Sequence, residues 1–162
     1  MNKLSVMGLT ILVSSVMSTP TMAQSFSPSN TFFLANGQLT FVIGGPGKVK
    51  CLAMLDGVTG AGGSSVPDGS FQIVGQGGAP CPNINIGRTD YMLTSATATG
   101  GTGIINNASI YLSGILACSG SLPFTWVNNG SNPSTIQFDS NVGPCSVKGS
   151  LQTGSTDVNV VP

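Results

Sequence analysis

Thiols are the side chains of this sequence with the most evident capacity for chemistry. The 162-residue chain has four cysteines, Cys51, Cys81, Cys118 and Cys145. A zinc site would need ligand pairs such as C-x2-C or nearby histidines, and the sequence has neither. Cys118, in "LACSGSLPFTW", has no neighbouring base or cation in the sequence that would favour a reactive thiolate. An even number of cysteines therefore predicts two disulfide bonds in an oxidising compartment.

The spacing of the cysteines allows three pairings. We favour the sequential one, Cys51 with Cys81 and Cys118 with Cys145, although spacing alone leaves the other two open. Each sequential bridge closes a loop of about thirty residues, which the chain-entropy estimate values at about 3 to 4 kcal/mol.

Acid–base catalysis has few candidates here. The sequence has no His and no Glu, and two of its five Asp, Asp56 and Asp68, precede Gly in dipeptides typical of turns. Asp90, in "GRTDY", is a candidate for a local ion pair or a loop brace. The sequence contains no D-x-D-x-D pattern and therefore predicts no calcium site. We expect no enzyme activity, no cofactor and no metal.

The N-terminus has the pattern of a secretory signal peptide. Lys3 supplies a positive charge, an apolar run extends from Leu4 to Met17, and "TMA" ends at Ala23. This predicts a signal peptide over 1–23 and a single exported domain over 24–162, released or held at the cell surface, with no transmembrane segment after cleavage. The alternative is an N-terminal membrane anchor.

The charge of the expected mature chain is low. Without Lys3, four basic residues face five Asp. Nucleic-acid binding depends on many Lys and Arg that neutralise phosphates, so nucleic acid is excluded as a partner.

Apolar residues alternate with polar ones in short runs separated by Gly and Pro. Leu39, Phe41 and Ile43 form one such run, the turn signal "GGPG" follows, and Val49, Cys51, Ala53 and Leu55 continue the alternation. The pattern predicts an all-β antiparallel fold, a sandwich or flattened barrel of about eight or nine strands stabilised by disulfides. A further strand is predicted over Ser109–Ala117. The Gly-rich segment from Gly57 to Pro80 is predicted to be a loop around one short strand.

Several segments together resemble a known family. These are "FSPSNTFFLANGQLTF", Cys51 followed by "DGVTG", a central Cys81, then Cys118 with Leu122-Pro123-aromatic, and "NVGPCSVKGSL". In this order they resemble the secreted activators of alkane oxidation of the PraA/PraB type. The resemblance implies an exported, non-catalytic bacterial protein that promotes growth on hydrocarbons at an oil–water or cell-surface interface.

Four side chains are candidates for contact with an apolar surface. Phe124 and Trp126 share one side of a predicted strand, and Leu52 and Met54 lie opposite the face that carries Cys51. For Leu52 and Met54, burial beneath a second sheet is the favoured interpretation. A different functional hypothesis is a subunit of a surface fibre or biofilm matrix, in which Ser25 to Ile43 completes a neighbour's sheet through self-association.

Overall fold

The computed structural model describes residues 24–61, 63–73, 81, 84–86, 88–130, 132–154 and 158–162. The predicted signal peptide lies outside the described residues, and its prediction stays a prediction. No helix among these residues is long and apolar enough to cross a membrane.

The described chain forms antiparallel strands joined by short connections. They are β1 (Ser25–Ser27), β2 (Phe32–Val42), β3 (Lys48–Val58), β4 (Ser65–Ile73), β5 (Ile84–Asn85), β6 (Arg88–Thr97), β7 (Gly100–Leu112), β8 (Ile115–Asn129), β9 (Asn132–Val142), β10 (Cys145–Thr153) and β11 (Asn159–Val161).

Eight of these strands close into a barrel. They follow one another around it in chain order as β2, β3, β4, β6, β7, β8, β9 and β10, and β10 pairs with β2 to complete the ring. The short β5 pairs with the far end of β7, where the ladder between β6 and β7 has already ended. The prediction of an all-β antiparallel fold is confirmed. Of the two architectures that it allowed, the sheet adopts the barrel.

Alternation along the strands fills the barrel. On β2, Phe33, Ala35, Leu39 and Phe41 are buried inside the ring, whereas Phe32 lies on the outside. Because successive side chains of a strand point to opposite faces, this period of two separates core from surface on every long strand. A single layer of sheet therefore encloses the core.

Glycine allows close approach at two interior positions. A Cβ on Gly37 would collide with the backbone oxygen of Ser150 on β10, where the ring closes. A Cβ on Gly103 would collide with the Phe124 ring on β8. Both sites need a residue without a side chain because a small barrel coils tightly around large core groups.

The two ends of the barrel are built differently. The end that carries the β2–β3, β7–β8 and β9–β10 turns also carries both disulfides, and we call it the disulfide end. At the other end, β1 and β11 form a two-stranded sheet with Ser25 opposite Val161 and Ser27 opposite Asn159. We call this small sheet the plug, because its Phe26 and Val160, together with the adjacent Val158, are buried against the core.

Two element predictions need correction. The predicted loop over 57–80 contains the nine-residue strand β4, because Val66 and Phe71 face the core on either side of a bulge; residues 74–80 lie outside the described part. The predicted strand Ser109–Ala117 is two strands, since Ser113 and Gly114 turn the chain with φ of 53° and 79°. Such left-handed pairs are typical of two-residue hairpin turns.

Candidate functional site

Both disulfides have the pairing that the sequence analysis favours. Cys51 is bonded to Cys81 with their Cα atoms 5.7 Å apart, and Cys118 to Cys145 with their Cα atoms 6.0 Å apart. The described residues include no free cysteine. All four sulfurs are thus structural, and the bonds are typical of proteins that fold in an oxidising compartment.

The two bridges lie at different places relative to the ladders. Cys51 lies two residues towards the disulfide end from Ala53, which pairs with Ile73, the last described residue of β4. The β8–β9 ladder ends at Thr125 opposite Gln137, and Cys118 lies seven residues further. The second bridge therefore links β8 to the start of β10 at a level where no β8–β9 pairing is present among the described residues.

Pro123 explains why the second ladder stops. Pro123 is paired with Ile104 of β7, and this pairing does not need a backbone N–H at position 123. The N–H that proline lacks would therefore have pointed towards β9. The next ladder bond towards β9 cannot form, and the sheet surface is irregular there. The Leu-Pro-aromatic segment thus marks an interruption in the barrel wall.

The predicted surface contacts Phe124 and Trp126 are wrong. Both face the barrel interior, with 6% and 2% of their surface exposed. Trp126 packs edge-on against Phe26 of the plug and Phe33 of β2, with ring centroids 5.3 and 5.7 Å apart. The two residues do share one face, as the alternation predicted, but it is the inner face.

The plug is fixed by side-chain amides and hydroxyls. Asn128 donates from Nδ2 to the Val160 carbonyl (2.6 Å), and its Oδ1 accepts from the Val160 N–H (2.9 Å). Thr59 donates from Oγ1 to the Pro28 carbonyl (2.8 Å) and accepts from the Thr31 N–H (2.9 Å). Both terminal segments are therefore tied to the barrel rim by polar groups that mimic backbone pairing.

The core beneath the plug has little free space. The cavity between Phe26, Phe33, Leu55, Tyr91 and Trp126 has a volume of about 10 Å³. That is about the least that holds one water molecule, and ligand pockets are far larger. This cavity is therefore too small to bind a ligand.

Tyr91 is the one described group whose ionisation is clearly displaced. Burial raises its pKa well above the usual range, and the nearby Asp56 carboxylate adds to the effect. Its hydroxyl donates to the Ser70 carbonyl at 2.7 Å. Because this bond needs the proton, Tyr91 works as a neutral donor that ties β6 to β4 and is no candidate base.

The displaced ionisation predicts a loss of stability at alkaline pH. Tyrosine in the unfolded chain ionises near pH 10, whereas Tyr91 in the folded protein stays protonated to higher pH. The folded state then binds more protons than the unfolded state, so the free energy of unfolding should fall as the pH rises above about 10. Urea titrations between neutral pH and pH 11 would show the fall.

A Tyr91→Phe variant is the control for that measurement. It should lose about 1 kcal/mol at neutral pH with the Ser70 hydrogen bond, and show a shallower alkaline fall than the parent. Equal slopes in the two proteins would contradict the assignment to Tyr91.

The outer face of β2 and β3 carries the exposed apolar side chains of interest. Phe32 lies directly opposite Val58, and they are 55% and 48% exposed. Leu52 is 44% exposed, while Leu34 and Met54 are half-buried. Leu34 is diagonal to both Met54 and Val58 in the register, which is within contact range of long side chains. We call these five residues the outer apolar patch.

Leu52 and Met54 face outward, and the interpretation that the sequence analysis favours for them, burial beneath a second sheet, is wrong. A sandwich has a second sheet that could cover this face, whereas in a barrel the opposite strands belong to the same closed sheet and cover only its inner face. The outer face of β3 therefore stays uncovered. The sequence analysis missed Phe32, Leu34 and Val58. Their signal was the alternation itself, since all three occupy the face opposite the core positions.

A groove of about 360 Å³ lies on the outside of β6 to β9. Ile104 and Pro123, directly opposite each other, supply apolar surface, and Thr94, Thr102 and Gln137 supply polar groups. Asp139 at its border is paired with Lys148, Nζ to Oδ1 at 2.6 Å. The sequence analysis did not find this groove, because its members come from four strands.

The carboxylates in the described part of the chain do not assemble into a site. Asp90 accepts through Oδ1 from the Asp68 N–H at 3.1 Å and so braces the β4 bulge, which is one of the two roles foreseen for it. Among the described residues, no group of three or more His, Cys, Asp or Glu side chains could hold a metal ion.

Comparison with known proteins gives one result. A family model described as "Alkane oxidation protein activator PraA/PraB-like" matches residues 1–162. Searches of curated proteins and of solved structures return no significant match. The family match spans the whole chain and includes both disulfides and the strands that carry the outer apolar patch. The chain belongs to the PraA/PraB-like family of alkane oxidation protein activators.

Proposed function

We propose that the protein is an exported, non-catalytic accessory protein that adsorbs to an oily phase, or to a cell surface in contact with one, and so promotes hydrocarbon assimilation. The outer apolar patch is the observation that carries this proposal. The family name supports the connection with alkanes. Adsorption through an outer surface also agrees with the small size of the cavity beneath the plug.

The patch has the properties of a contact surface. Phe32, Val58 and Leu52 are each about half exposed on adjacent strands, and the half-buried Asp56 lies on the same face of β3 between Met54 and Val58. Several exposed apolar side chains on one face mark an interaction site more often than scattered residues do. Lys48 and Lys50 follow Leu52 on the same outward face of β3 towards the disulfide end. The patch therefore has a charged border that can stay in water while the apolar part meets oil.

The fibre hypothesis has less support. Its donor segment, Ser25 to Ile43, comprises β1 and β2, and β2 pairs with β3 on one side and β10 on the other. β1 pairs with β11 of the same chain. Donation of this segment to a neighbour would require the barrel to open.

Replacing three patch residues tests the proposal. The triple variant Phe32→Thr, Leu52→Thr and Val58→Thr should bind hexadecane droplets about 100-fold more weakly, since each half-exposed side chain contributes about 1 kcal/mol on transfer to oil. Threonine keeps the strand propensity. Droplet depletion assays and pendant-drop tensiometry would measure the change, and complementation of a deletion strain on hexadecane would test the physiology.

The matched control is the Ile115→Thr, Leu116→Thr variant. Ile115 and Leu116 are 75% and 51% exposed at the β7–β8 turn, away from the patch. Their loss should leave droplet binding within about threefold of the parent. An unmodified protein that neither adsorbs to droplets nor restores growth would refute the proposed function, and a larger loss in the control would assign adsorption to the β7–β8 turn.

A further inference from the structure

The groove on β6 to β9 lies on the side of the barrel opposite the outer apolar patch. In the ring of eight strands, β7 is four positions from β2 in either direction, and β8 is four positions from β3. Two different surfaces thus face away from each other across one closed barrel. A molecule held in the groove would not compete with an oily phase at the patch.

Apart from Asp139, the polar side chains of the groove are neutral and can both donate and accept. Thr94 Oγ1 and Thr102 Oγ1 are 2.8 Å apart, and Thr102 Oγ1 is 2.7 Å from Ser95 Oγ. A hydroxyl has one donor and two acceptor positions, so this chain keeps acceptor capacity for a ligand. Thr125 and Gln137, which are opposite each other in the β8–β9 ladder, add a further hydroxyl and an amide.

The charge at the groove is balanced. Asp139 is the charged member of its lining, and Lys148 on β10 pairs with it. Both side chains are well exposed, at 78% and 61%, so the pair is solvated and exerts little field on a neighbour. A strongly charged ligand would find no compensating charge there.

The apolar part of the groove comes from Ile104 and Pro123. Met92, opposite Ile104 on β6 and 43% exposed, extends this row beyond the groove. A row of apolar side chains beside hydroxyls and an amide suits a ligand with C–H surface on one face and hydroxyls around its edge. Sugar rings have that composition, and 360 Å³ is within the size range of small-molecule sites.

We propose that the groove binds a neutral carbohydrate, with Thr102 and Gln137 as hydrogen-bonding residues and Ile104 and Pro123 as the surface beneath the ring. The carbohydrate could belong to a cell-surface polysaccharide or to the head group of a glycolipid. The proposal extends the proposed function, because a barrel that binds sugar on one side and oil on the other would link the two. It does not depend on oil binding.

A glycan array tests the site. The unmodified protein should be retained on at least one class within a panel of neutral glucans, mannans, galactans and rhamnans. The Thr102→Val, Gln137→Leu variant should bind that class about tenfold more weakly or worse, since two neutral hydrogen bonds are lost with little change of shape. The control variant Thr40→Val, Gln152→Leu makes the same chemical changes on β2 and β10 and should bind normally.

Further arms identify the source and exclude other occupants. The affinity for an alkyl glycoside should be measured below its micelle concentration. It should equal the affinity for the free polysaccharide if the protein recognises the sugar ring alone, and exceed it if a glycolipid is the ligand. Retention of the protein on no glycan, loss of binding at raised salt, or equal loss in the control would overturn the proposal. So would a change in sedimentation of the groove variant, which would make the groove an interface between copies.

Failure of this proposal can be distinguished from failure of the proposed function. The groove variant should still adsorb to hexadecane droplets, and the patch triple variant should still bind the glycan. A protein that adsorbs to oil but ignores every glycan would overturn the groove assignment alone.

Discussion

Replacing Cys118 and Cys145 together by alanine is expected to lower the free energy of unfolding by about 3 to 4 kcal/mol. The bridge closes a loop with a sequence separation of 27 and joins β8 to the start of β10 beyond the end of the β8–β9 ladder. Its loss should therefore have a local effect as well: amide hydrogen exchange should accelerate over Phe138–Val142 more than over β2. Guanidinium titrations followed by Trp126 fluorescence would measure the global effect.

The companion variant Cys51→Ala, Cys81→Ala is the matched comparison. It removes a bridge of similar span, with a sequence separation of 30, and should cost a similar free energy while leaving exchange over Phe138–Val142 unchanged. With both bridges removed, the loss approaches the whole stability of a typical domain, and we expect no cooperative transition. If the variant that lacks both bridges had a free energy of unfolding within 1 kcal/mol of the parent, the hydrogen-bonded ladders would be sufficient for stability without the disulfides.

Trp126→Ala is expected to cost about 3 to 5 kcal/mol and to release the plug. The ring packs against Phe26 on the plug and Phe33 on β2, so its removal leaves a cavity next to the existing one beneath β1 and β11. Exchange of the Val160 amide, which is bonded to Asn128, should then accelerate far more than exchange within the barrel wall. Chemical denaturation followed by circular dichroism would give the free energy.

The Trp126→Phe variant distinguishes the contribution of aromatic packing from the cost of the buried indole N–H. The indole N–H of Trp126 is buried and has no hydrogen-bond partner among the described residues. Phenylalanine keeps an aromatic ring against Phe26 and removes that unsatisfied donor, so the loss of volume is partly offset, and we expect a cost of about 1 to 2 kcal/mol. A phenylalanine variant as unstable as the alanine variant would contradict this account of the site.

The fold class was predictable because the alternation of apolar and polar residues can be recognised within a few consecutive positions. Leu39, Phe41 and Cys51, Ala53 lie inside the barrel as their period of two indicated. Closure was not predictable from the same signal. The inner face of a barrel strand and the inner face of a sandwich strand have the same pattern, and what decides between them is the pairing of β2 with β10, residues more than a hundred positions apart.

The candidate surfaces show the same limit. Leu52 and Met54 could be placed on the outward face of β3, but their exposure depended on whether a second layer existed. Phe124 and Trp126 could be placed together, yet large aromatic side chains favour the core when a ring of strands can enclose them. The groove depends on register shifts and on Pro123, so no local window of sequence contains it.

The pairing of β2 with β10 also sets the order of assembly. Every other neighbour in the ring can pair as a hairpin soon after it is synthesised, but closure must wait until Thr153 is present and must overcome the entropy of joining distant segments. A chain stopped before β10 would expose the free backbone of β2 and β9 and invite intermolecular pairing. We therefore expect C-terminal truncations to aggregate even when they retain every residue of both surfaces.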